Sequence, residues 1–185
     1  MRISKADLMR RWGWSTGLAV VVLAVLWALD LKLKGESGVG TTDLQAFANG
    51  VQFEAAFRAW SPRPYAALAG FNLGLDYLLM PLYALSFFYS AIIAAEAFAP
   101  RPGRLRRIIL FLAMVPAAGA LCDAGENALQ LAMLMNGADD SLARLAFTLS
   151  NAKTVALTIG GVLLAAAIVA RFPRRPKSED PTSTY

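Results

Sequence analysis

Four polar side chains interrupt one apolar run of this sequence: Asp123, Glu126, Asn127 and Gln130. Their spacing of i, i+3, i+4 and i+7 puts them on one face of a helix. Carboxylates and amides grouped in this way can hold a proton, coordinate a hard cation or receive a basic ligand. The surrounding run, 108–135, is long enough to cross a bilayer. An ionisable group at that depth costs at least ~2.5–3.5 kcal/mol, so it is expected to face other helices and to mark a working site.

Other chemistries are excluded by residue type. The chain has no histidine and one cysteine, Cys122. Histidine-ligated haem, the usual zinc sites, Glu-x-x-His di-iron sites and Ser-His or Cys-His nucleophiles are therefore out of reach. A lone cysteine makes no internal disulfide and no thiol-pair oxidoreductase. No cofactor and no metal centre are expected. The net charge of +5 raises the question of nucleic acid, but the Lys and Arg residues flank apolar blocks, as membrane orientation signals do. No nucleic-acid partner is expected.

The elements that must position the polar face follow from hydropathy. The 185 residues are 57% hydrophobic with mean hydropathy +0.47, and the apolar residues come in long blocks, which places the chain in the membrane class. The reading is all-α: a polytopic four-helix bundle forming one domain over 1–171. The spans are expected at 12–31, 67–98, 108–135 and 142–170. The first, opened by Trp12 and Trp14 and closed by Asp30, Lys32 and Lys34, is read as an uncleaved helix ending in an ordinary charged terminus. Between spans one and two, glycines 35, 38 and 40 give a flexible start. An amphipathic helix follows at 43–60, with Gly50 a possible break, and 61–64 (Ser-Pro-Arg-Pro) stops it. It is expected to lie on the membrane surface or on the bundle end, as a connector or as a lid. Pro81 and Pro116 are expected to kink spans two and three. A tight basic hairpin covers 100–107, and 172–185 is expected to be a disordered cytoplasmic tail.

Charge sets the expected topology. Twelve basic residues fall on the side holding the N-terminus, the 100–107 hairpin and the C-terminus, against five on the other side. The positive-inside rule then predicts an inner (plasma) membrane protein with both termini cytoplasmic.

Counting inward from the outer span ends brings the polar residues to one depth. Asp76, Glu126, Asn127, Asn151 and Lys153 each lie about seven to ten residues in, which is ~10–15 Å, and Asp123 lies a turn deeper. Tyr83 joins from the second span, on the face it shares with Asp76, Met80 and Phe87. The candidate cluster is therefore Asp76, Tyr83, Asp123, Glu126, Asn127, Gln130, Asn151 and Lys153. Three acids meet one lysine, a net −2 if all ionise. The balance is expected to come from protons, from a cation or ligand, or from water.

The segments 75–85 (Leu-Asp-Tyr-Leu-Leu-Met-Pro-Leu-Tyr-Ala-Leu) and 122–129 (Cys-Asp-Ala-Gly-Glu-Asn-Ala-Leu) resemble those of a family of small, uncharacterised bacterial four-span membrane proteins. That family shows an Asp-aromatic-x-x-x-Pro-x-x-Tyr pattern and an Asp-x-x-Glu-Asn pattern in successive spans. The resemblance implies that Asp76, Pro81, Tyr83, Asp123, Glu126 and Asn127 belong together, and it brings no activity with it.

Three functions are compatible with this reading. The favoured one is transport- or receptor-like: a buried acidic cluster binding a small cationic or amphipathic ligand, a proton or a cation. The second is an intramembrane enzyme acting on a lipid or isoprenoid by carboxylate acid/base chemistry. The third is an accessory or assembly subunit whose cluster locks the helices together. The expected partners are the lipid bilayer, a further copy of the chain or a larger membrane complex.

Overall fold

The computed structural model describes residues 4–61 and 64–170, and these are helices and their connections with no strand. The elements are α1 (Lys5–Ser37), a 3₁₀ turn (Thr42–Ala46), α2 (Gly50–Trp60), α3 (Tyr65–Phe98), α4 (Arg104–Leu112), α5 (Val115–Asn136) and α6 (Asp140–Val169). Four units are long and apolar enough to cross a membrane: α1, α3, α4 with α5, and α6. The chain is an all-α four-helix bundle. The segment 172–185, and Pro62 and Arg63 of the expected helix stop, lie outside the described residues.

Helix ends are set by local chemistry. Ser4 caps α1 by accepting the Asp7 main-chain N–H, and α1 ends at Gly38, whose φ of 84° is the left-handed conformation that glycine adopts without strain. Both ends of α1 run beyond the expected 12–31 span. The charged residues that mark the end of the apolar block do not end the helix, which continues through them at both ends.

The loop helix is shorter than the 43–60 expectation. The chain makes a 3₁₀ turn over Thr42–Ala46, extends at Phe47, and starts α2 at Gly50. Asn49 enforces the second start: in an extended conformation, it accepts the Gln52 N–H at 3.0 Å. α2 then turns inward rather than lying on a surface. Phe53 and Trp60 are fully buried with Leu33 of α1, Ala69 of α3, Met133 of α5, and Ala143 and Ala146 of α6. The Trp60 indole N–H donates to the Val39 carbonyl at 2.8 Å, and the Gly50 N–H donates to Asp140 Oδ1 at 2.7 Å. α2 is a plug in one end of the bundle, called the cap end below.

Two proline expectations resolve differently. α3 runs through Pro81 as one helix. The third span instead breaks at Ala113 and Met114, between α4 and α5. Pro116 has no N–H to give to the Leu112 carbonyl, so the helix stops at Leu112 and restarts with Pro116 in its first turn, where that N–H is not needed. At the opposite, basic end, part of the expected hairpin is helical from Arg104. The Arg106 guanidinium donates to the Ala95 and Ala99 carbonyls, satisfying the last turn of α3.

Packing is uneven around the bundle. α5 lies along α6, and α1 lies along α3. Gly119 lets α5 and α6 approach closely: a Cβ there would stand 2.6 Å from the Ala156 Cβ. Polar links zip α1 to α3 near the basic end. The Trp12 indole donates to Ser90 Oγ at 2.8 Å, and Thr16 Oγ1 and Ser86 Oγ are 2.7 Å apart.

Candidate functional site

α5 and α6 bring the polar face to its counter-charge. Lys153 Nζ is 3.0 Å from Asp123 Oδ1 and 2.6 Å from Glu126 Oε2, with all three side chains buried. Asp123 and Glu126 are three residues apart on one helix, so a single ammonium from the facing helix reaches both. Gln130, one turn along α5, donates from Nε2 to Glu126 Oε1 at 2.9 Å. From α3, the Tyr83 hydroxyl donates to Asp123 Oδ2 at 3.0 Å. Both Asp123 oxygens are thus engaged, one by a cation and one by a phenol.

Asp76 forms a second centre. Its Oδ2 accepts from Asn127 Nδ2 at 2.8 Å, and the same amide donates to the Leu73 carbonyl at 3.3 Å. Among the described residues Asp76 makes no ion pair. The structure therefore brings seven of the eight candidates into contact: Asp76 with Asn127, and Tyr83, Asp123, Glu126, Gln130 and Lys153 with one another.

Asn151 is the exception. It is exposed, and its amide returns to the Phe147 carbonyl of its own helix at 2.8 Å. Its depth matches that of Lys153, but two residues along a helix turn a side chain by ~200°, to the opposite face.

Asp30, expected as an ordinary charged span terminus, lines the same region from α1. It is 4% exposed, although charged. Its carboxylate accepts from Thr41 Oγ1 at 2.8 Å, the Thr42 N–H at 3.1 Å and Thr42 Oγ1 at 2.6 Å. Thr41 Oγ1 in turn accepts from Asn72 Nδ2 at 3.0 Å. A Cβ on residue 40 would lie 2.6 Å from Asp30 Oδ1, so Gly40 makes this close approach possible. The glycine-rich segment expected to be flexible is here a turn folded around a carboxylate. The pair of adjacent threonines just past that glycine was the available signal.

Asp30, Asp76, Asp123 and Lys153 share one cavity of about 630 Å³. Thr41, Thr42, Gln45 and Asn72 surround Asp30 at one end, while Val20, Leu23, Leu157 and Leu164 make much of the remaining wall apolar, with the hydroxyls of Thr16, Ser86 and Thr158 among them. The cavity lies between α1, α3 and α6, where α1 leans on α3 and leaves room beside α6.

Among the described residues no group of three or more Cys, Asp and Glu side chains is arranged to hold a metal ion. Comparison of the chain with protein-family models, with curated proteins and with solved structures gives no match.

Proposed function

We propose that this chain is a multi-pass protein of the inner membrane, with its basic end cytoplasmic, that binds a small cationic molecule in the cavity beside Asp76. The basic residues Arg101, Arg104, Arg106 and Arg107 at that end support the orientation.

The observation that carries the binding reading is the charge lining the cavity. Asp30, Asp76 and Asp123 face it, against Lys153 alone. Lys153 is already within ion-pair distance of both Asp123 and Glu126, and it makes no ion pair with Asp76. Asp30 is held by hydroxyl and amide donors, which neutralise nothing. A partly buried carboxylate at membrane depth without an ion-pair partner is unfavourable, and a cation arriving beside Asp76 relieves that cost. A primary ammonium with three N–H donors matches the carboxylate and hydroxyl acceptors around it.

The test is thermal unfolding of the purified protein in lipid nanodiscs with ethylamine, and with ethanol as the neutral counterpart. Ethylamine is expected to raise the midpoint and ethanol to leave it unchanged. Equal responses to both would end this reading.

A further inference from the structure

We infer that the ligand is a single-chain amine of lipid character, which enters sideways from the bilayer between α1 and α6 and keeps its hydrocarbon chain in that gap. This rests on the cation-binding reading above and adds to it the identity of the rest of the molecule.

The cavity carries charge toward one end only, and the hydroxyls lining it toward the basic end are already used: Thr16 Oγ1 and Ser86 Oγ stand 2.7 Å apart, and Thr158 donates to the Thr154 carbonyl at 2.9 Å. Asp30 lies toward the cap end, Lys153 near the middle of α6, and Leu164 of α6 toward the basic end. Leu164 is eleven residues from Lys153 on α6, so at helical rise the mainly apolar part runs ~15 Å along the bundle axis beyond the lysine. A small hydrophilic cation has no use for such a wall, whereas an alkyl chain gains the usual transfer free energy from each methylene it buries.

The side entrance follows from exposure. Val20, Leu23 and Trp27 of α1 are 60%, 54% and 64% exposed, yet all three line the cavity. They form its rim on the side facing the hydrocarbon of a membrane. The cavity's cap end is edged by the exposed polar residues Thr42 and Gln45, so the rim on α1 is the apolar way in. A ligand that reaches Asp76 past this rim travels through lipid, which selects molecules that partition into it. The head then meets Asp76 at a depth where an isolated carboxylate is otherwise unfavourable.

The experiment compares dodecylamine, dodecanol and ethylamine as ligands of wild type, Asp76→Asn and Leu157→Trp in nanodiscs, with empty nanodiscs subtracted for partitioning. Leu157 lies on the α6 wall, so a tryptophan there fills the chain site and leaves Asp76 untouched. Dodecylamine is expected to bind at least about tenfold tighter than ethylamine, and to lose about tenfold in Leu157→Trp and in Asp76→Asn. Ethylamine is expected to be insensitive to Leu157→Trp. If dodecylamine binds no tighter than ethylamine, or ignores Leu157→Trp, while both amines still depend on Asp76, the chain site is overturned and the cation site stands. If dodecanol matches dodecylamine and Asp76→Asn changes nothing, both are overturned. A diazirine at the chain end of the amine gives a second readout: crosslinks on α1 and α6 support the inference, and crosslinks on α2 contradict it.

Discussion

Lys153 Nζ stands 2.6 Å from Glu126 Oε2, and this contact joins the third span to the fourth with both side chains buried. With Asp123 as the second acceptor, the lysine satisfies two buried carboxylates at once. Removing one partner of such a group leaves the others uncompensated, at a cost of about 3–5 kcal/mol. Lys153→Met is therefore expected to lower the unfolding midpoint sharply. Adding Glu126→Leu and Asp123→Asn to it is expected to recover most of the loss, because the buried charges then vanish together. Thermal melts in detergent check this, and a triple variant no better than Lys153→Met would contradict it.

The α5–α6 contact is predicted to depend on the absence of a side chain at Gly119. A methyl there meets Ala156 at 2.6 Å, and backbone on both sides must move to relieve the overlap. Gly119→Ala is expected to destabilise by about 1–3 kcal/mol, the range for overpacking a tight interface. Combining it with Ala156→Gly removes the opposing methyl and is expected to restore much of the stability. A double variant as unstable as the single would place the effect elsewhere.

Outside the spans, Asp43 gives a pH dependence. Partial burial works against its charge, but Lys34 Nζ at 2.6 Å and the Gly40 N–H at 2.9 Å outweigh that and hold its carboxyl below the ordinary value of 3.8. A group with a lowered folded pKa binds fewer protons folded than unfolded. Its contribution is thus complete above the ordinary value and is lost as pH falls through the folded one. Stability below pH ~4 is expected to fall less steeply in Asp43→Asn than in wild type. The difference will be small, because the pair is substantially exposed and screened. Parallel melts across that acid range, with equal slopes for both proteins, would contradict the assignment.

The four spans were legible because each carries an apolar block that nothing but a membrane-crossing helix accounts for. Their ends were not, since Lys5–Arg11 and Lys32–Ser37 are helical although charged. Asp123, Glu126 and Lys153 could be brought together from helical spacing and depth alone. Asn151 shows the limit of depth, which says nothing about which way a side chain faces around its helix. Asp30 shows another limit. Its partners lie eleven and twelve residues on, beyond a glycine turn, and no periodicity links them. The cavity itself was not legible at all. It arises because α1 leans on α3 instead of closing onto α6, a property of packing between helices rather than of any one of them.

The central claim, that Asp76 is the seat of a bound cation, is tested most directly by the dissociation constant of ethylamine measured by ligand-observed NMR. Wild type, Asp76→Asn and Glu54→Gln are compared in nanodiscs. Glu54 is an exposed acid already paired with Arg58, and so controls for loss of one negative charge. Asp76→Asn is expected to weaken binding by about tenfold, a loss of about 1.4 kcal/mol, with Glu54→Gln unchanged. Equal constants for all three proteins would contradict the account.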